Sequence, residues 1–223
     1  ANDPHAHLIS PRVIAIDGPA GSGKSTVAKA VAERLGLQYL DTGAMYRAAA
    51  LLAIRLEIDP SDGPAIAKVI ETHVMEVDFT ADPPSLQLDG ADPGEELRSR
   101  EVEAIVSIVA AQPEVRRRLV AVQRAIAASH PHLVTEGRDQ GSVVFPDAQA
   151  RFYLTASSAI RAKRRVDQLR RKGQSPDPVE IREGIEARDR LDAGRSDAPL
   201  FRAAAAIEID TDELGFDEVV DRM

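Results

Sequence analysis

The residues Gly18-Pro19-Ala20-Gly21-Ser22-Gly23-Lys24-Ser25 fit the pattern G-x-x-x-x-G-K-[ST] at every position. The glycines allow the backbone to curl so that successive N–H groups face one anion, and a helix opening at the same point adds positive potential. In such a loop Lys24 reaches the β- and γ-phosphates as a point charge. Ser25 offers a hydroxyl to Mg²⁺, and Thr26 continues the loop into the helix. A glycine-rich turn that merely packs a strand on a helix is the lesser reading. The full match, placed between a strand-like and a helix-like segment, points to a bound nucleoside triphosphate with Mg²⁺.

The loop leaves the phosphate acceptor open: water for an NTPase or switch GTPase, a second small molecule for a kinase. No N-K-x-D sequence occurs, so the usual guanine-reading signature is missing. Three further clusters suit an anionic acceptor. They are Asp41-Thr42-Gly43-Ala44-Met45-Tyr46-Arg47, then Glu136-Gly137-Arg138-Asp139-Gln140-Gly141, then Arg188-Asp189-Arg190-Leu191-Asp192-Ala193-Gly194-Arg195. The planar fork of arginine binds two phosphate oxygens at once. A single arginine is more often a solvated charge, but the first two clusters fall where a strand ends, on the sheet edge where ligands bind in open α/β folds.

Those positions depend on the elements that carry them. Arg12–Ile16 is a short, β-branched apolar run and reads as a buried strand; Lys24–Leu35 follows with apolar residues at helical spacing and Gly36 as its stop. Gln38–Leu40, Leu133–Thr135, Arg151–Thr155 and Ala206–Asp210 are further strand candidates. Helices are expected over Ala44–Arg55, Ser99–Ala111, Glu114–Ala128, Ser158–Lys172 and Val179–Arg190. Strands alternating with helices predict an α/β fold with five parallel core strands wrapped by helices. Between turn-rich segments, Thr72–Phe79 and Leu86–Asp89 read as a hairpin, so an insertion into that core is expected.

Taken together, GPAGSGKST, LDTGAMYRA, ELRSREV, TEGRDQGSVVFPDA and RDRLDAGR resemble the bacterial cytidylate kinase family, in family order from Gly18 to Arg195. The resemblance implies the P-loop nucleoside monophosphate kinase fold: a core over 12–58, 112–160 and 188–223, a nucleotide-binding insert over 59–111 and a helical lid over 161–187. It implies ATP and CMP or dCMP as partners and Mg²⁺ as cofactor. By the same resemblance, Arg47 and Arg138 hold the acceptor phosphate, and Asp139 and Arg98 read the base. Asp192 and Arg188 contact the sugar, Arg195 lies among the phosphates, and Thr42 and Tyr46 line the pocket. A carboxylate suits cytosine because it accepts from the N4 amino group, where uracil presents a carbonyl oxygen. Some members have Asp where Glu136 stands. Glu136 either holds Mg²⁺ through water or only orients its loop. Some members also run past the position of Met223, so the chain is expected to be short of their last helix.

Arg161, Lys163, Arg164, Arg165, Arg170, Arg171 and Lys172 crowd one expected helix. The bland reading is a solvated face; an RNA-contacting helix is a second, with few aromatics nearby to stack on bases. In kinases of the resembled type such a helix is a lid whose arginines close over the triphosphate and exclude water. Arg161, Arg164 and Arg165 are the expected members. A phosphate acceptor with a second pKa near 6 is already largely dianionic at neutral pH, so no general base is required. That agrees with the lack of a Ser-His-Asp set or H-E-x-x-H. His5, His7, His73, His130 and His132 read as structural or exposed. Thr211–Gly215 is the expected adenine-side loop. The alternatives are a kinase for another nucleoside monophosphate such as UMP, and a nucleotide-switch or RNA-binding module.

The bulk composition agrees with this reading. A formal charge of -8 over 223 residues argues against general attraction to nucleic acid or membrane. The lack of cysteine excludes a disulfide framework and a thiolate zinc site. Ala1–Pro11 lacks a secretory pattern, and the longest apolar run, Ala48–Ile54, is too short to span a bilayer. A cytoplasmic monomer is expected.

Overall fold

The computed structural model describes residues 12–195 and 199–223. Five parallel strands form the central sheet: β1 (Arg12–Asp17), β2 (Gln38–Asp41), β5 (His132–Gly137), β6 (Ala150–Thr155) and β7 (Ile207–Asp210), in the order β2-β5-β1-β6-β7. The crossovers are helical, as parallel pairing demands. β1 runs at the centre, in register with β5 on one side and β6 on the other, so the loop leaving its carboxyl end sits at mid-sheet.

Alternate strand residues feed two apolar layers, because side chains on a strand point to opposite faces. On one face Ile16, Val134, Phe152, Leu154 and Ile209 pack with Val27, Ala28 and Val31 of α1 (Lys24–Leu35) and with Val219 and Val220 of α8 (Phe216–Asp221). On the other, Leu40 and Leu133 join a larger cluster built from α2 (Thr42–Arg55), α3 (Gly63–Thr72), α4 (Arg100–Val109) and α5 (Pro113–Ser129). β3 (Met75–Asp78) and β4 (Ser85–Leu88) form a separate antiparallel hairpin over the segment expected to hold one. After β6 the chain runs through α6 (Ser158–Arg171) and α7 (Pro178–Ala193), which pack on each other.

Two helices differ from the sequence expectation. Gly63 closes the turn-rich segment Asp59–Gly63 of the sequence, yet α3 begins there. Asp62 caps it by accepting from Ala65 N at 3.0 Å, and proline is tolerated in a first turn, where its missing N–H has no partner to lose. α8 is only six residues long and is held by packing on α1 rather than by any pattern of its own. Among the described residues no helix is long and apolar enough to cross a membrane.

Candidate active site

The phosphate loop leaves β1 through residues whose conformation depends on glycine. Gly18, Gly21 and Gly23 have φ of 148°, 77° and 93°, and a Cβ on Gly18 would lie 2.1 Å from the Leu154 carbonyl oxygen. Gly23 starts α1 without a side-chain cap, so the first amides of that helix are left for an anion. Lys24 folds back over the loop. Its ammonium donates to Pro19 O at 2.7 Å and lies 3.5 Å from Ser22 Oγ. Burial, and then the positive charge of Arg138, push the Lys24 pKa down to about 7, against the opposing pull of Glu136 and Asp17. Such a lysine is an incomplete ion pair awaiting an anion.

Ser25 donates from its hydroxyl to Glu136 Oε1 at 2.5 Å, and the Tyr39 hydroxyl reaches the same carboxylate oxygen at 3.3 Å. Glu136 is buried near the end of β5, paired with Asp41 on β2 and with Ile16 on β1. A hydroxyl and a carboxylate converging beside a triphosphate loop are the hard oxygen donors Mg²⁺ prefers, reached directly or through water.

A cluster of arginines comes together from four elements. Arg138 extends from the end of β5, and its Nε donates to Asp192 Oδ2 at 2.9 Å. Arg195, just after α7, pairs with the other oxygen of Asp192, which is itself almost fully buried. Burial would raise the Asp192 pKa, but Arg138, Arg195 and Arg188 together hold it below its usual range. Arg188, by contrast, is lowered to about 10 by burial and by the neighbouring Arg138 and Arg47 charges. Arg47 on α2 belongs to the same group. Among the described residues, the buried Nε atoms of Arg47, Arg188 and Arg195 have no hydrogen-bond partner. One aspartate thus anchors part of a cationic cluster that retains open donors, which fits an anion as its missing partner.

The carboxylate of Asp139 is buried against Arg116 of α5, a partner the sequence did not point to. The Arg116 guanidinium also lies 5.8 Å from the centre of the Tyr46 ring. Arg98 is exposed and approaches Asp41 Oδ2 at 3.8 Å. Thr42 turns its hydroxyl onto Glu136 O at 2.7 Å, so it braces β5. Tyr46 is buried beside Asp139, and desolvation drives its pKa upward.

The three expected lid arginines share one side of α6, but their long side chains reach different partners. Arg161 is buried at the phosphate loop: Nη1 donates to Ala20 O at 3.1 Å, Nε to Ala156 O at 2.9 Å, and Nη2 pairs with Asp189 at 2.6 Å. Arg164 reaches across to Thr211, donating to Oγ1 at 2.9 Å and to the carbonyl at 2.6 Å. Arg165 crosses to Glu103 of α4 at 3.0 Å. Lys163, Arg170, Arg171 and Lys172 are exposed, as a solvated face would be.

Asp17 and Arg116 escape a motif search. Asp17 ends an apolar strand immediately before the phosphate loop, and an acid in a buried strand is the available signal. Arg116 sits among Val115 and Leu119 on the inward stripe of α5, and a charge on that stripe is its signal.

A triphosphate loop on the central strand, facing a cradle of arginines built from the neighbouring strand and helices, defines a P-loop kinase of the α/β class. The profile of the family described as "Cytidylate kinase" matches residues 14–223, and the chain belongs to that family. It is 45% identical over 214 residues to the cytidylate kinase of Nocardia farcinica, covering 96% of this chain and 92% of that protein. It is 47% identical over 210 residues to the cytidylate kinase of Caldanaerobacter subterraneus, covering 94% and 92%. A solved structure of an uncharacterized protein from Eubacterium ventriosum, 13% identical, superposes with a TM-score of 0.50 over 95% of this chain and 94% of that one, a likeness of fold alone.

Proposed function

We propose that the protein transfers the γ-phosphoryl group of ATP to CMP or dCMP, giving ADP and CDP or dCDP. The observation that carries this reading is the pair of facing cationic sites. One is the phosphate loop with Lys24. The other is the group of Arg47, Arg138, Arg188 and Arg195, whose charge is felt at Lys24 and whose donors are partly unused.

In this reading the core is 12–58, 112–160 and 188–223, the acceptor-binding insert 59–111 and the lid 161–187. The loop amides from Gly18 to Thr26 and the Lys24 ammonium hold the β- and γ-phosphates. Arg47 and Arg138 hold the acceptor phosphate, Arg195 completes its charge balance, and Asp192 with Arg188 borders the sugar. Arg161 keeps the phosphate loop in shape through Ala20 O. Arg164, fixed to Thr211, braces the loop expected to meet adenine. Asp139, oriented by Arg116, accepts from the cytosine amino group, with Tyr46 beside both. Arg98, carried by the insert, donates to the acceptor edge of the base.

Mg²⁺ bound with ATP would neutralise charge on the transferring group, held by Ser25 and, through water, by Glu136. The acceptor phosphate is its own nucleophile, so the protein's work is alignment and charge neutralisation. A coupled assay over CMP, dCMP, UMP, AMP, GMP and dTMP tests the reading. CMP or dCMP is the preferred acceptor, and Asp139→Ala lowers the ratio of CMP to UMP turnover. Inactivity with both cytidylates would refute it.

A further inference from the structure

Asp17 is the last residue of β1, one position before the phosphate loop, and it is almost fully buried. Its Oδ1 accepts from Gln140 N at 2.8 Å and its Oδ2 from Gly141 N at 2.8 Å. Those two amides open the single π-helical turn Gln140–Val144 that follows Arg138 and Asp139 directly. Both oxygens of one carboxylate therefore fix the backbone behind the acceptor-binding pair, from the strand whose next residue begins the phosphate loop.

Neither side has room to drift. A Cβ on Gly18 would strike the Leu154 carbonyl oxygen at 2.1 Å. One on Gly137 would meet Thr42 Oγ1 at 2.8 Å, and one on Gly141 would meet Arg151 Cγ at 3.0 Å. The charged and titratable neighbours of Asp17 are Lys24, Asp139, Arg138 and Tyr153. Its carboxylate oxygens are engaged by the two amides of the acceptor loop.

We propose that Asp17 is a positioning residue that sets the acceptor loop against the phosphate loop, so that the acceptor phosphate meets the transferring group in line. The inference rests on the function proposed above and adds to it a residue that touches neither substrate. Only a carboxylate serves both amides. An asparagine of the same shape turns an N–H₂ toward one N–H donor and loses that bond. A backbone displaced by a fraction of an ångström then moves Arg138 and Asp139 together, while the phosphate loop keeps its own hydrogen bonds and glycine geometry.

The test is steady-state kinetics of Asp17→Asn and Asp17→Ser, varying CMP and ATP separately, with thermal unfolding of each variant. Arg138 and Asp139 are the groups proposed to hold CMP, so their displacement weakens its binding: KM for CMP is expected to rise about tenfold in Asp17→Asn and further in Asp17→Ser, with KM for ATP within about twofold of the parent. Cooperative unfolding is retained in both. Unchanged KM values in folded variants would overturn the proposal, as would equal rises for the two substrates. Failure of both variants to fold would also overturn it, since Asp17 would then serve the fold at large. If the unaltered protein does not phosphorylate CMP, the proposed function fails and this inference with it. If it does, and the variants keep its KM for CMP, the Asp17 inference alone falls.

Discussion

The two phosphate sites of this molecule are made in opposite ways. The donor loop is one unbroken run of sequence, and it binds mainly through backbone amides, a helix N-terminus and a single lysine. The proposed acceptor cradle draws arginines from α2, the end of β5, α7 and the segment after it, and would bind through guanidinium side chains gathered near one buried aspartate. A backbone cradle is indifferent to most side chains but needs glycine at its positive-φ positions. A side-chain cradle tolerates an ordinary backbone but fails if any supporting element moves. The donor site is thus specified locally and the acceptor site by the fold.

Three substitutions or conditions would separate the two sites. Lys24→Ala removes the one side-chain charge of the donor loop. Turnover should fall by about 10²–10³-fold, the scale of losing a preorganised charge stabiliser, with the unfolding transition preserved. Turnover near the parent level would remove Lys24 from the chemistry.

Arg138→Ala acts on the other side. Losing charge-assisted hydrogen bonds should lower kcat/KM for CMP by about 10- to 100-fold, with KM for ATP little changed. Arg138→Lys should recover little, because an ammonium cannot hold both Asp192 and a phosphate with a planar fork. An equal loss for ATP would mean that the two sites are not separable as described.

The smallest effect is a proton. With its pKa down to about 7 in the empty site, against an ordinary 10.5, Lys24 is largely neutral at pH 8. An arriving polyphosphate favours the charged form, so ADP binding takes up a proton in the window between those two values. Affinity weakens as pH rises through it. Calorimetry at pH 8 in buffers of different ionisation enthalpy should report that uptake, and Lys24→Met should abolish it. Heat independent of buffer in the parent protein would refute the depressed lysine.

The fold class was readable because a parallel sheet buried on both faces writes its strands as short apolar runs. All five core strands lie where those runs occur, with ends shifted by a residue or two. α3 was hidden by the turn-rich segment Asp59–Gly63, whose chemistry is also compatible with a capped helix start. The lid arginines were grouped by sequence spacing, which places them on one side of the helix but does not say which partners the long side chains of Arg164 and Arg165 reach. One reaches Thr211 and the other Glu103.

By itself the chain determined the triphosphate loop and the strand that leads into it, because these are local patterns whose physics is complete within a few residues. The kinase family was legible from the resemblance of five segments spread from Gly18 to Arg195. Tertiary structure alone decided that Asp139 pairs with Arg116 of α5. It also decided that Asp192 gathers Arg138 and Arg195, and that Asp17 ties one phosphate site to the other. Those partners lie on different elements. A buried charge takes whichever neighbour the packing brings within hydrogen-bond reach, and no spacing along the chain records that choice.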